Sequence, residues 1–215
     1  MVSRRGMLIV VSAPSGAGKT TLCREIRRRL GNLAYSVSYT TRVPRPGELD
    51  GQAYHFVSEG VFQQMVDRGE LAEWARVHGH LYGTAAQTLE TVLDRGQDIL
   101  LDIDTQGARQ LRGRYPLGLY VFVVAPSLKE LEQRLKERKS DAPREIARRM
   151  ARALDEIAAW REYDYVVVNH HLDEAVRQLQ CIIDAERCRT TRFTLNLPDL
   201  PENGGAQRTL PGGAA

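Results

Sequence analysis

Three features of the sequence predict an α/β fold built on a parallel central sheet. Short β-branched runs recur at residues 8–11, 99–103, 119–124 and 165–168, as apolar as strands covered on both faces must be. Between them, apolar residues repeat at helical spacing: Leu22, Ile26 and Leu30 stop at Gly31, and Ile146, Met150, Leu154 and Ile157 follow Pro143, a residue suited to a first helical turn. The third feature is the run of small residues that joins the first strand to the first helix, Ala13-Pro14-Ser15-Gly16-Ala17-Gly18-Lys19-Thr20.

Strand, loop and helix in that order are the context a nucleotide-binding phosphate loop requires. Small residues let successive backbone N–H groups turn inward on a triphosphate, and the following helix points its positive end there. Lys19 adds a compact cation near the outer phosphates, in a chain with only four lysines, Lys19, Lys129, Lys136 and Lys139, among its 30 basic residues. Thr20 offers a hydroxyl to Mg²⁺, and Thr21 follows it in the donor-binding set. The general pattern opens with Gly where this chain has Ala13.

The alternation of strands and helices is interrupted between residues 35 and 83, where Pro44, Pro46, Gly47, Gly51, Gly79 and Gly83 punctuate short strand-like pieces. Such a stretch predicts a small inserted subdomain. After Arg192 the composition turns to Pro, Gly, Asn and Ala with few apolar residues, and residues 193–215 are expected to be a disordered tail.

With 215 residues and 42% hydrophobic content, one domain is expected. The formal charge of +3 is too small to be the footprint of a nucleic-acid binder, so anion recognition must be local. No apolar run reaches the roughly 20 residues that cross a bilayer, and the first residues do not read as a signal peptide. Cys23, Cys181 and Cys188 contain no CxxC pair, which predicts neither a disulfide framework nor a zinc ribbon and suits a reducing cytoplasm. His78 with His80, and His170 with His171, lack a third ligand nearby in sequence and are not expected to bind metal.

The segment Ser36-Val37-Ser38-Tyr39-Thr40-Thr41-Arg42-Val43-Pro44-Arg45-Pro46-Gly47-Glu48, followed by Gly51 and Tyr54, resembles the signature of guanylate kinases. The resemblance continues through Glu73-Trp74-Ala75, Tyr82-Gly83-Thr84, Asp102-Ile103-Asp104-Thr105-Gln106-Gly107 and the strand ending at Asn169. It implies a P-loop nucleoside monophosphate kinase over residues 7–190, with a parallel central sheet, an acceptor-binding subdomain near 35–88 and a lid near 134–150. The implied reaction moves the terminal phosphoryl group of MgATP to GMP.

Under that resemblance, Arg42 and Arg45 present guanidinium forks to the GMP phosphate, and Tyr54 and Tyr82 add hydroxyl donors. Glu73 accepts both the N1–H and the amine of guanine, with Ser38, Thr84 and Asp104 at the remaining base-reading positions. Adenine, lacking a donor at N1, would leave Glu73 partly unpaired. The acceptor phosphate is already ionised, so no general base is expected; alignment and cations carry the catalysis. Lys19 and Arg42 are joined in that role by the lid arginines Arg134, Arg138 and Arg149. Asp102 is placed at the water shell of Mg²⁺ and Asn169 at the adenine side of the ATP site. The family usually has Gly where this chain has Glu137 and Lys139, and often Asp-Asp where it has His170-His171. Two other readings remain at this point: a related kinase acting on a ribosyl bisphosphate, and a non-catalytic module that grips a phosphopeptide through the arginines.

Overall fold

The structure is a computed structural model that describes residues 2–77, 79–137 and 143–195. In chain order, β1 (Val2–Arg4) and β2 (Leu8–Ser12) lead through the small-residue loop into α1 (Lys19–Arg29), and β3 (Ala34–Tyr35) follows. The next segment holds β4 (Tyr39–Thr40), β5 (His55–Phe56), α2 (Glu59–Asp67), β6 (Leu71–Val77), β7 (His80–Ala85) and α3 (Ala86–Asp94). The remainder is β8 (Ile99–Asp102), α4 (Thr105–Arg114), β9 (Leu119–Val124), α5 (Leu128–Glu137), α6 (Pro143–Ala158), β10 (Tyr165–Val168), α7 (Leu172–Arg187) and β11 (Phe193–Leu195).

The central sheet is parallel throughout, in the order β10-β9-β2-β8-β3. Its strands coincide with the four apolar runs, except that Ile103 has already left β8; β3 is too short for its composition to announce it. Side chains alternate across β2. Ile9 and Val11 pack with Leu22 and Ile26 of α1 and Leu179 and Ile183 of α7, while Leu8 and Val10 face Leu89 of α3 and Leu111 of α4. The chain leaves β2 for β3 on one side of the sheet and reaches β9 and β10 on the other. The C-terminal end of β2 is therefore the switch point at which open α/β sheets bind ligands.

Residues 39–85 carry a second sheet of four strands, order β5-β4-β7-β6, closed on one face by Phe62 and Met65 of α2 against Leu71 and Leu81. The edge strand β6 is capped by α4. Gln110 accepts the Trp74 N–H at 3.1 Å and donates to the Trp74 carbonyl at 2.7 Å, supplying the pairing that a missing neighbour strand would have given.

Three expectations are corrected. β10 is an edge strand packed on one face only, so Val166 and Val168 are exposed while Val167 is fully buried. On α6 the inward stripe passes through Met150, Ala153 and Ile157, leaving Leu154 exposed. The disorder expected from residue 193 does not start there, because Phe193–Leu195 pair antiparallel with Val2–Arg4; residues 196–215 lie outside the described residues.

Candidate active site

The phosphate loop is shaped by its glycines. Gly16 and Gly18 sit at φ 92° and 89°, in the left-handed region that side chains other than hydrogen disfavour. Gly18 meets a second demand, since a Cβ there would collide with the amide of Asn169. That amide donates to the Ala17 carbonyl at 2.8 Å, so Asn169, expected on the adenine side, also clasps the loop from the end of β10. The methyl group of Ala13 packs against the apolar clusters on either side of the loop. Pro14, Gly16, Lys19, Thr20 and Thr21 line a cavity of about 230 Å³.

The expected acceptor residues Ser38, Arg42, Arg45, Tyr54, Glu73, Tyr82 and Asp104 surround a second cavity, of about 270 Å³, which Asp102 also lines and which meets the first at Lys19, Thr20, Val77 and Asp104. Lys19 reaches across that junction and donates to the Ile103 carbonyl at 2.8 Å. Asp102 is brought there because Val11 and Asp102 are paired in register at the ends of β2 and β8. Burial pushes the Asp102 acid up, against the opposing charges of Lys19 and Arg27.

Glu73 is 4% exposed and lies opposite Thr84 across the β6–β7 ladder, just past a register shift between Leu71 and Glu73. The Thr84 hydroxyl donates to Glu73 Oε1 at 2.6 Å. Thr84 is itself fully buried and stands behind the carboxylate, outside the cavity lining. Burial pushes the Glu73 acid up to about 7; the Thr84 bond and Lys19 oppose the rise and Asp104 adds to it. Gly107 makes room for this carboxylate, because a Cβ at 107 would overlap Glu73 Oε2. Asp104 caps α4, accepting the Gly107 N–H at 2.9 Å.

Arg42 is 9% exposed and held on three sides: Nε donates to the Tyr82 hydroxyl at 3.2 Å, Nη1 to the Val43 carbonyl at 2.7 Å and Nη2 to Glu48 Oε1 at 2.8 Å. Glu48 also accepts the Arg45 N–H at 2.8 Å. The hydrogen bonds from Arg42 and from the Arg45 N–H hold the Glu48 acid below its usual range. Of the five N–H groups of a guanidinium, the Arg42 side chain uses three in these contacts, which leaves two.

On the donor side, Arg134 donates to Glu130 and to the Asn169 carbonyl, both at 3.0 Å. Arg149 is half-buried on α6, and Arg138 lies outside the described residues, as do Lys139 and His78. Glu48, Gly107, Gln110 and Glu156 carry no role expected from the sequence. Glu48 stands inside the Ser36–Glu48 segment, where its closeness to Arg42 and Arg45 in sequence is the signal for its role. Gly107 closes the Asp102–Gly107 motif, but its contact with Glu73 spans 34 residues; Gln110 and Glu156 act across 36 and 141 residues, on Trp74 and Ser15, and no local pattern marks them.

The family model described as guanylate kinase matches residues 5–186. The chain is 52% identical to the guanylate kinase of Geobacter metallireducens over 191 residues, 89% of this chain and 94% of the relative. It is 45% identical to that of Carboxydothermus hydrogenoformans over 95% of this chain and 99% of the relative. The crystal structure of guanylate kinase from Anaplasma phagocytophilum superposes with a TM-score of 0.76 at 32% identity, covering 90% of this chain and 92% of that one.

Proposed function

The chain belongs to the guanylate kinase family, and from that premise we propose how its residues divide the work of an ATP:GMP phosphotransferase. Glu73 reads guanine: its carboxylate faces the acceptor cavity beside Ser38 and Asp104 and is buried where an unsatisfied charge is costly. Paired donation from guanine N1–H and the amine satisfies it, and adenine does not. Arg42, Arg45, Tyr54 and Tyr82 take the acceptor phosphate. Lys19 and the loop's N–H groups take the donor, and Arg134, Arg138 and Arg149 approach the transferring group from the lid side.

Mg²⁺ arrives with the nucleotide in this reading. Thr20 and Asp102 are hard oxygen donors lining one cavity, a fit for an ion that keeps several waters. Among the described residues no group of three metal-ligating side chains stands ready to hold an ion alone. When bound, the ion neutralises charge on the phosphates. Among the described residues no helix is long and apolar enough to cross a membrane. Cys23, Cys181 and Cys188 are free thiols, which supports placing the protein in the cytoplasm.

The observation that carries the specificity is the buried Glu73 carboxylate in the lining of the acceptor cavity, held by the Thr84 hydroxyl. An ADP-release assay offering GMP, AMP, CMP and UMP separately tests it: turnover with GMP is expected, and turnover with AMP alone overturns it. A ribosyl bisphosphate acceptor would leave Glu73 without a partner, and a module without catalysis would have no need of Lys19 and Thr20 at the loop.

A further inference from the structure

Glu156 is a carboxylate placed where a kinase receives a phosphate. It lies on α6, one turn beyond Ala153, whose side chain is fully buried against Ala17 of the phosphate loop. From there its Oε2 accepts the backbone N–H of Ser15 at 3.2 Å. It lines the donor cavity together with Lys19, Thr20 and Asp104. Burial pushes its acid up, the Ser15 N–H, Arg152 and Lys19 oppose the rise, and Asp104 adds to it.

Where the terminal phosphate must lie follows from the two cavities. Donor and acceptor spaces share Lys19, Thr20, Val77 and Asp104, and a phosphoryl group in transfer has to stand at that shared boundary. Glu156 lines the donor space within reach of the Lys19 charge. Resting on this assignment of the donor site, we infer that Glu156 is a positioning residue that serves as the resident anion of the empty phosphate loop and gives way to the terminal phosphate of ATP. Glu156 also lines an adjoining cavity of about 230 Å³ together with Asp104, Asp155, Arg109 and Arg152; Arg109 is already bound to Glu162, and Arg152, one helical turn away on α6, is the cation whose charge acts on Glu156. Since Arg149 is two turns from Glu156 on the same helix, moving the carboxylate off Ser15 loosens the root of the helix that carries a lid arginine. The loop thus reports the arrival of a triphosphate, as distinct from a diphosphate, to α6.

The test compares wild type with Glu156→Gln and Glu156→Asp by calorimetry, titrating the Mg²⁺ complexes of the β,γ-imido analogue of ATP and of ADP without GMP. Gln keeps an acceptor for Ser15 and removes the charge. Removing one charge near the terminal phosphate is expected to tighten the triphosphate roughly three- to tenfold, with ADP changed by less than about twofold. Glu156→Asp, which keeps the charge, should stay close to wild type in its ratio of the two affinities. An equal change for both nucleotides, no change, or weaker triphosphate binding by Glu156→Gln overturns the inference. In each of those cases Glu156 is a support of the loop and nothing more. Because no acceptor is present, failure here is distinct from failure of the guanylate assignment, which GMP turnover by the wild type decides.

Discussion

In the proposed acceptor pocket the side chains assigned to recognition are already tied to other side chains, Glu73 to Thr84 and Arg42 to Tyr82 and Glu48, whereas the proposed donor loop presents backbone, shaped by Gly16 and Gly18 and clasped by Asn169. The two solutions suit their ligands. Telling guanine from adenine requires acceptors at fixed points, and a buried carboxylate holds its position only if a neighbour holds it. A triphosphate offers charge without pattern, and inward-turned N–H groups with one compact cation suffice. The acceptor side should therefore yield graded losses confined to GMP, and the donor side should fail as a unit.

The largest effect is expected at Lys19. Lys19→Ala should lower kcat by roughly a thousandfold or more while the thermal midpoint stays near wild type, because the one bond it leaves behind is to the Ile103 carbonyl. An unchanged kcat removes Lys19 from the chemistry and with it the contrast drawn between the two sites.

Glu73→Gln comes next, with kcat/KM for GMP reduced by about three powers of ten and little change in KM for ATP. Its pH behaviour sharpens the comparison. With its acid at about 7 in the empty site, Glu73 must lose a proton to accept both guanine donors, so KM for GMP should climb as pH falls below about 7 and stay flat in the variant. Stability has the opposite sense. The folded protein holds this proton more tightly than the unfolded chain, so protonation favours folding; that contribution is full below the ordinary glutamate value and is lost as pH rises through about 7. At pH 8 the variant should consequently be the more stable protein, by on the order of 2 kcal/mol, measurable by urea denaturation.

Glu48→Gln should raise KM for GMP about tenfold through loss of the charge-assisted bond that aims Arg42, with KM for ATP unmoved. Equal effects on both nucleotides would mean that the 42–48 loop supports the whole cleft. The smallest effect is expected at Gly107→Ala. Alanine favours the α4 helix by up to about 1 kcal/mol, yet its methyl group meets the Glu73 carboxylate. A few-fold higher KM for GMP without a gain in thermal midpoint identifies the clash; a stabilised variant with normal KM shows that Glu73 has room to move.

Much of this was legible because it is local. The phosphate loop is a contiguous run between a strand and a helix, and the parallel strands announce themselves by apolar runs that burial on both faces demands. Legibility failed where the environment is made by distant segments. β10 reads as apolar as β9, and only its place at the edge of the sheet leaves Val166 and Val168 exposed. Leu154 falls on the helical repeat of α6, but Ala153, a small residue, is the one that fits against Ala17. Phe193–Leu195 lie in a segment of disordered composition and gain order from a strand at the opposite end of the chain.

Sequence alone announced four strands of the parallel sheet, two helices and the small-residue loop between strand and helix, and it singled out polar residues as candidates to meet a guanine nucleotide, since these follow from backbone propensity, periodicity and the chemistry of each side chain. How those residues are charged and aimed came from the folded surroundings. Folding buried Glu73 and raised its acid, set Thr84 behind it, turned Glu48 onto Arg42 and brought Glu156 to the Ser15 N–H. Desolvation and hydrogen-bond geometry depend on what surrounds a group in space, and those surroundings come from segments that the chain brings together only on folding.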